Sequence, residues 1–167
     1  DAYLKLQNGG AAVSNYMTAL QVDEHFAEGP YKEGLVYKTQ KNEDIYLEKF
    51  NKAYEKDSTY TPVIDELYTY YFFKDVKQAD KYLTAYIRHS EPDPKHDYML
   101  ADLDYVSKKY QEAINSAQNI IARDGDSVQP RLYKLMAYSY AALGDSTTAL
   151  KNIDTYFNKQ ADSAVVP

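Results

Sequence analysis

The stretch "LYKLMAYSYAALGDSTTALKNIDTYF", residues 132–157, decides the fold of this chain. Its first half places apolar side chains three or four residues apart, the spacing that lines one face of an α-helix: Leu132, Leu135, Met136, Tyr140 and Leu143. Gly144 then ends that helix, and Asp145 or Ser146 can cap the next one. A second apolar face follows at Ala149, Leu150, Ile153 and Phe157. The stretch therefore predicts two helices joined by a tight turn.

Segments with the pattern of the second helix recur upstream. They are centred on small or aromatic residues at Ala12, Tyr46, Ala79 and Ala113, and the series continues to Ala149. The intervals between these positions are 34, 33, 34 and 36 residues. A period near 34 residues with one helix pair per period is typical of a solenoid, in which each pair buries its apolar face against the next.

Along nearly its whole length, the sequence resembles tetratricopeptide-repeat (TPR) proteins. The residues that carry the resemblance are a small residue and a tyrosine in the first helix of a pair, and an aromatic residue and an alanine in the second. They are found at Gly34 and Tyr37 in "GLVY", Ala137 and Tyr140, Phe50 and Ala53, and Tyr16 and Ala19, together with the turn "GDSTTAL". Leu100 and Ala101 in "DYMLADLDY" supply the first helix of the fourth repeat.

The resemblance implies an all-α fold, a TPR-type right-handed α-solenoid of antiparallel helix pairs with about four and a half repeats. We expect a single TPR domain over residues 1–167. It would comprise a partial repeat (1–26), repeats at about 27–59, 60–93, 94–128 and 129–161, and a tail (162–167).

The sequence departs from the TPR pattern at several positions. Glu33 stands where a leucine is usual, and tyrosines replace alanine at Tyr46, Tyr86 and Tyr156. The first helix of the third repeat fits two registers one residue apart, depending on the role of Leu67. Because the first repeat starts inside its first helix, we expect further protein upstream, or a partner or second copy that covers that end.

Composition excludes several classes of function. The net charge is −6, and a mildly acidic chain lacks the clustered cations that nucleic acids require. There is no cysteine, so thiol catalysis, disulfides and cysteine-based zinc sites are excluded. No apolar run approaches the ~20 residues that span a bilayer. The cysteine-free, Tyr-, Asn- and Lys-rich composition and the abrupt start favour a bacterial protein from outside the cytoplasm.

No motif for catalysis or cofactor binding is present. His89 and His96 flank an acidic, Pro-containing segment whose spacing fits no established metal motif. The segment "RDGDS" at 123–127 lacks the full calcium loop, and a helix end at Gly125 explains it. Phosphate-binding loops and nucleophile elbows are also absent. We therefore predict no enzyme activity, no metal and no cofactor.

The resemblance implies that the first helix of each pair lines an inner groove, where a peptide or protein segment binds. Mapped onto this sequence, the groove residues are Tyr31, Lys38, Tyr68, Tyr71, Tyr98, Asp102, Tyr105, Lys134 and Tyr138, with Leu35 and Phe72 beside them. Tyrosine suits such a surface because it offers a large contact area at low entropic cost. The first helices at about 30–40, 61–73, 94–106 and 130–143 contain no Asn, so a clamp for the two carboxylates of a peptide's end is not expected.

Two alternatives stay open. The 19 tyrosines include rings, such as Tyr37, Tyr70 and Tyr140, that suit packing between helices. In that case the chain is a structural or assembly scaffold. The stretch "YTYYFF", residues 68–73, illustrates both roles. Local propensity favours a strand, but the repeat places it at the end of a first helix, with Tyr70 and Phe73 packing inward and Tyr68, Tyr71 and Phe72 facing the groove.

Overall fold

The computed structural model describes Gly10, Ser14 and residues 26–164, and within them the regular structure is helical. One compact unit runs to Glu91 and a second begins at Pro92. The first contains α1 (Glu28–Thr39), α2 (Glu43–Lys56), α3 (Thr61–Tyr71) and α4 (Val76–His89). The second contains α5 (Lys95–Val106), α6 (Tyr110–Asp124), a 3-10 turn (Gly125–Ser127), α7 (Arg131–Ala142) and α8 (Ser146–Ala164).

Consecutive helices pack as pairs: α1 with α2, α3 with α4, α5 with α6, and α7 with α8. Each pair coincides with one predicted repeat, so the all-α prediction of repeated helix pairs is confirmed. The partial repeat at 1–26 lies outside the described residues except for Gly10, Ser14 and Phe26. The division of the whole chain into one repeat domain stays a prediction.

Side-chain caps and left-handed backbone separate the helices as the sequence predicts. Asp75 accepts hydrogen bonds from the backbone N–H groups of Lys77 and Gln78 at the start of α4. Asp145 accepts one from Thr148 at the start of α8, and Gly144 before it has a φ of 87°. A carboxylate at a helix start satisfies backbone donors that have no partner within the helix.

The close approach of α1 and α2 depends on Gly34. A Cβ atom at this position would lie 2.5 Å from a ring carbon of Phe50, which is fully buried. The ring therefore occupies the space that any larger residue would need. In the pair of α5 and α6, small residues are found at Ala101 on the first helix and Ala113 on the second, and both are fully buried.

The core of the second unit lies among α5, α6 and α7. It contains Tyr98, Ala101, Ala113, Ala117, Ile120, Val128, Leu132, Leu135 and Met136, and Tyr105, Ile121, Tyr133 and Tyr140 pack against it. Small residues from α5 and α6 face large residues from α7, which is how helices reach the packing density of a protein interior.

The "YTYYFF" segment is helical, but α3 ends at Tyr71 and the backbone turns through Phe72–Lys74. The prediction that Phe73 packs inward three residues after Tyr70 is wrong, because the helical spacing no longer applies beyond Tyr71. The Phe73 side chain is 83% exposed. Leu67 is fully buried, as either register of the third repeat requires.

Candidate functional site

Aromatic rings form a continuous chain of contacts through the first unit. Neighbouring rings in this chain have centroids 4.9–6.1 Å apart, and most meet at tilted or edge-to-face angles. In order, the rings are Tyr60, Tyr31, Phe50, Tyr46, Tyr70, Tyr71, Tyr82 and Tyr54. Such pairs stabilise beyond the area that they bury. Many of the tyrosines in this unit therefore pack helices together.

The predicted groove tyrosines of the first unit all contact other rings. Tyr31 is half-buried between Phe50 and Tyr60. Tyr71 is half-buried and stacks on Tyr82 with centroids 5.7 Å apart. Tyr68 is buried, and its ring meets Phe72 edge to face. The exposed parts of Tyr31 and Tyr71 remain available to a ligand, whereas Tyr68 offers little surface.

An open pocket of about 360 Å³ lies in the first unit, formed by α1, α2, α3 and the turn after α3. Tyr46 and Tyr70 supply its aromatic wall, and Phe73 stands beside them with most of its ring in solvent. Lys38, a predicted groove residue, also lines this pocket. The complete lining is Lys38, Glu43, Tyr46, Glu66, Thr69, Tyr70, Phe73 and Lys74.

The charged groups of the pocket are paired. Lys38 bonds to Glu66, and Lys74 bonds to Glu43. The Tyr70 hydroxyl also donates to Glu43 at 3.0 Å, and the Lys74 ammonium lies 4.1 Å from the Tyr70 ring centroid. The hydrogen bonds from Lys74 and then Tyr70 hold the pKa of the Glu43 carboxyl below its ordinary value. The pocket thus presents an aromatic surface between two neutralised ion pairs.

In the second unit, two predicted groove residues serve internal contacts. The buried Tyr98 donates from its hydroxyl to Asp124 at 2.8 Å and accepts from the backbone N–H of Gln129 at 3.3 Å. Asp102 accepts two hydrogen bonds from Arg131, at 2.6 and 2.7 Å. Burial and the bond to Asp124 raise the pKa of Tyr98. These contacts tie α5 to the end of α6, to the segment that follows it and to the start of α7.

Tyr138 is the exposed ring among the six predicted groove tyrosines, with 47% of its surface accessible. Lys134, also predicted, places its ammonium 5.8 Å from the Tyr138 ring and 5.7 Å from the Tyr156 ring. Tyr105 is half-buried, 6.0 Å from Tyr110, and packs against the core. The structure therefore brings Lys134 and Tyr138 together as an exposed aromatic and cationic pair on α7.

Sequence reasoning missed Phe73, Lys74 and Glu43 as neighbours of Lys38. The repeat pattern places Phe73 on the packed face and gives Glu43 and Lys74 no role. A signal was available: Asp75 is a strong N-cap residue, so the preceding residues had to leave the helix to reach it. A turn of that kind exposes at least one of its side chains.

No candidate metal site is found in the part of the chain that the structure describes. No group of three or more His, Asp or Glu side chains there could hold a metal ion. His96 is buried in the first turn of α5, whereas His89 ends α4 on an exposed surface. Within the same residues, no helix is both long and apolar enough to cross a membrane.

Comparison with known proteins identifies similar structures. No protein-family model matches the sequence, and no curated protein matches it. The chain is similar to the crystal structure of YrrB, "a TPR protein with an unusual peptide-binding site", at 19% identity and a TM-score of 0.78. That match covers 96% of this chain and 82% of YrrB.

Two further structures show the same likeness. The crystal structure of MamA matches at 20% identity and a TM-score of 0.75, covering 100% of this chain and 93% of MamA. A tetratricopeptide repeat protein from Parabacteroides merdae ATCC 43184 matches at 14% identity and 0.66, covering 94% of this chain and 61% of that one. Likeness at such identities concerns the fold alone. The chain has the fold of TPR proteins, as the sequence predicted.

Proposed function

We propose that this chain is a protein-interaction module, not an enzyme, that holds a peptide or protein segment on the surface of its first helices. The observation that carries the proposal is the open aromatic pocket of the first unit, where Lys38 and the exposed Phe73 meet. An exposed aromatic ring beside a concave aromatic wall is the usual composition of a peptide-binding hot spot. The structural likeness to YrrB, which is described as a TPR protein with an unusual peptide-binding site, supports the same class of function.

The lining of the pocket indicates the chemistry of the segment. An apolar or aromatic side chain fits against Tyr46, Tyr70 and Phe73, where burial replaces water on both surfaces. Because each lysine at the rim already bonds a glutamate, a single strong charge on the segment would gain little. A segment with an apolar residue between one acidic and one basic residue can exchange partners with both ion pairs.

In the second unit, Lys134 and Tyr138 form a separate proposed binding surface. Both lie on α7, the first helix of its pair, and both reach solvent. Tyrosine beside a cation binds peptide backbone and carboxylate groups as well as rings. We therefore propose this pair, with the exposed part of Tyr105, as a site of the second unit. The exposed parts of Tyr31 and Tyr71 belong to the proposed site of the first unit.

The proposal can be tested by selecting binders from a phage-displayed library of random peptides and measuring their affinity by fluorescence anisotropy. The informative variant is Phe73→Ser, because this ring is largely in solvent and its loss leaves the core intact. We expect Phe73→Ser to weaken the selected peptides at least about tenfold, as loss of a hot-spot ring does. Tyr138→Ala should weaken the selected peptides that bind the proposed site of the second unit.

The matched control is Phe157→Ser, which removes another largely exposed ring outside the pocket. Peptides that bind wild type and Phe157→Ser alike but lose affinity for Phe73→Ser support the pocket. If no peptide is enriched, or if all enriched peptides bind Phe73→Ser as well as wild type, the pocket is not the binding site.

The second candidate is a scaffold in which the aromatic residues mainly pack. The ring chain of the first unit favours it, as does the burial of Tyr68 and Tyr98. On this alternative, Tyr71→Ala and Tyr105→Ala lower stability, while selected peptides bind the remaining folded protein unchanged. The expected self-association through the first repeat concerns residues outside those described. It is tested by light scattering of this chain beside a version extended upstream.

A further inference from the structure

The last helix, α8, exposes two large apolar side chains on one face. Leu150 is 65% exposed and Phe157 is 60% exposed. They are seven residues apart, so they lie two turns from each other on the same side of the helix. Asp154 lies between them, four residues after Leu150 and three before Phe157, and it is exposed. We refer to Leu150, Asp154 and Phe157 as the α8 stripe.

The same positions one repeat earlier, on α6, show what covers such a stripe. They are Ile114, Gln118 and Ile121, displaced by the interval that separates Ala113 from Ala149. Ile114 is buried, and Ile121 packs against the core that α7 helps to form. On α6, therefore, the end of the stripe at Ile121 lies against the core that α7 shares, and α7 packs on α6.

The central polar position is also satisfied by that next helix. The Gln118 side-chain amide donates to the hydroxyl of Tyr140, on α7, at 3.3 Å. At the equivalent place on α8 the side chain is a carboxylate, and Asp154 has no ion pair with the described residues. A carboxylate between two apolar side chains needs a donor from whatever covers it, and a cation meets that need best.

We propose that the α8 stripe is a docking surface for an amphipathic helix that carries a lysine or arginine between two apolar residues. The helix would pack on α8 as α7 packs on α6, with its cation opposite Asp154. A second copy of this chain is a poor occupant, because two α8 stripes facing each other would bring the Asp154 carboxylates together. The surface includes none of the residues that line the pocket of the first unit.

The probe for this proposal is a labelled peptide with the sequence of residues 128–143, which contains the helix that packs on α6. Tyr140, the residue that reaches Gln118, is replaced by lysine in the test peptide (Tyr140→Lys) and by glutamate in its partner (Tyr140→Glu). Fluorescence anisotropy measures both peptides against the whole chain. We expect the lysine peptide to bind at least about tenfold more tightly than the glutamate peptide.

Charge reversal locates the contact. The variant Asp154→Lys should invert the preference, so that the glutamate peptide binds more tightly. Phe157→Ser should weaken both peptides, whereas Phe73→Ser should weaken neither, which separates this surface from the proposed peptide pocket. Circular dichroism of each variant should match wild type, since all three side chains are exposed.

Three results would overturn the proposal. One is that neither peptide binds the wild-type chain. Another is that Asp154→Lys leaves the preference between the two peptides unchanged. The third is that light scattering shows a wild-type dimer that Phe157→Ser dissociates, which would make a second copy the occupant of the stripe.

Discussion

Glu33 and Lys49 form a salt bridge between α1 and α2, with 2.9 Å from the Lys49 ammonium nitrogen to one carboxylate oxygen of Glu33. The Glu33 residue is only 1% exposed. Its other carboxylate oxygen is buried and accepts no hydrogen bond from the described residues. The bond to Glu33 raises the pKa of the Lys49 ammonium, as expected for a cation held by a buried anion. This is the position where the TPR pattern usually has a leucine.

Removal of the cation should harm the fold more than removal of both charges. Lys49→Met leaves the Glu33 carboxylate buried without a counter-ion, and we expect the free energy of unfolding to fall by about 3 kcal/mol. Glu33→Leu with Lys49→Met should be neutral or stabilising, because it removes both charges and the desolvated oxygen that lacks a partner. Glu33→Leu alone leaves the partly exposed Lys49 ammonium without its counter-ion, so its stability should lie between those of the other two variants. Urea denaturation of the three variants measures this order. Equal losses in all of them would contradict the argument.

The contact of Gly34 with Phe50 predicts a second effect on stability. Gly34→Ala places a methyl group 2.5 Å from a buried ring that cannot leave the core. We expect the free energy of unfolding to fall by about 1–3 kcal/mol, the usual cost of overpacking, although alanine favours helices more than glycine does. Thermal denaturation followed by circular dichroism measures the loss.

The double variant Gly34→Ala with Phe50→Leu distinguishes crowding from a backbone effect. Leucine vacates the ring position, so the alanine should cost less in this background than in wild type. Residues in direct contact show such coupling in double-mutant cycles. If the alanine costs the same with phenylalanine and with leucine, the ring is not what requires Gly34.

The fold could be predicted because its signals repeat. Gly144 and Asp145 mark one turn, and the same alternation of small residues and caps recurs about every 34 residues, so local errors average out. The end of α3 could not be placed. No glycine or proline stands between Tyr71 and Asp75. Phe72 and Phe73 therefore resemble a continuation of the helix until the cap at Asp75 is taken into account.

The candidate site was harder to predict than the fold because tyrosine suits both a core and a binding surface. Tyr68 and Tyr138 occupy first helices and carry the same side chain, yet Tyr68 is buried and Tyr138 is exposed. The pattern of one helix does not show what its neighbours cover. The groove residues as a set therefore stay a prediction, which the peptide experiments test.

The hydroxyl of Tyr98 predicts a pH-dependent contribution to stability. Tyr98→Phe removes the hydrogen bond to Asp124 and the acceptor of the Gln129 N–H, and should cost about 1–2 kcal/mol at pH 7. The bonds from Arg123 and Tyr98 hold the pKa of the Asp124 carboxyl below its ordinary value of 3.8. A lowered pKa stabilises the folded state above the ordinary value, and this stabilisation is lost as the pH falls below it.

The difference in stability between wild type and Tyr98→Phe should therefore shrink below pH ~4. Urea denaturation at neutral and acidic pH measures it. A difference that stays constant across this range would show that the hydroxyl does not act through the Asp124 carboxylate.

Tyr82 predicts the behaviour of the first unit in alkali. The residue is buried, stacks on Tyr71 and meets Tyr54 edge to face at 5.3 Å. Burial, and then the neighbouring Tyr71 and Tyr54 hydroxyls, raise the pKa of Tyr82 from 10.0 to about 12. A pKa that is higher in the folded state stabilises the protein below pH 10, and this stabilisation is lost as the pH rises towards 12.

Tyr82→Phe keeps the ring contacts and removes the titrating hydroxyl, so its stability should fall less than that of wild type as the pH rises from 10. The two proteins should be nearly equal in stability at pH 8, which serves as the internal control. Urea midpoints at several alkaline pH values measure the divergence between the two proteins. The other tyrosines contribute equally in both, so their contributions cancel in this difference. Parallel curves from pH 8 upward would mean that the Tyr82 hydroxyl is not what opposes unfolding to the tyrosinate form.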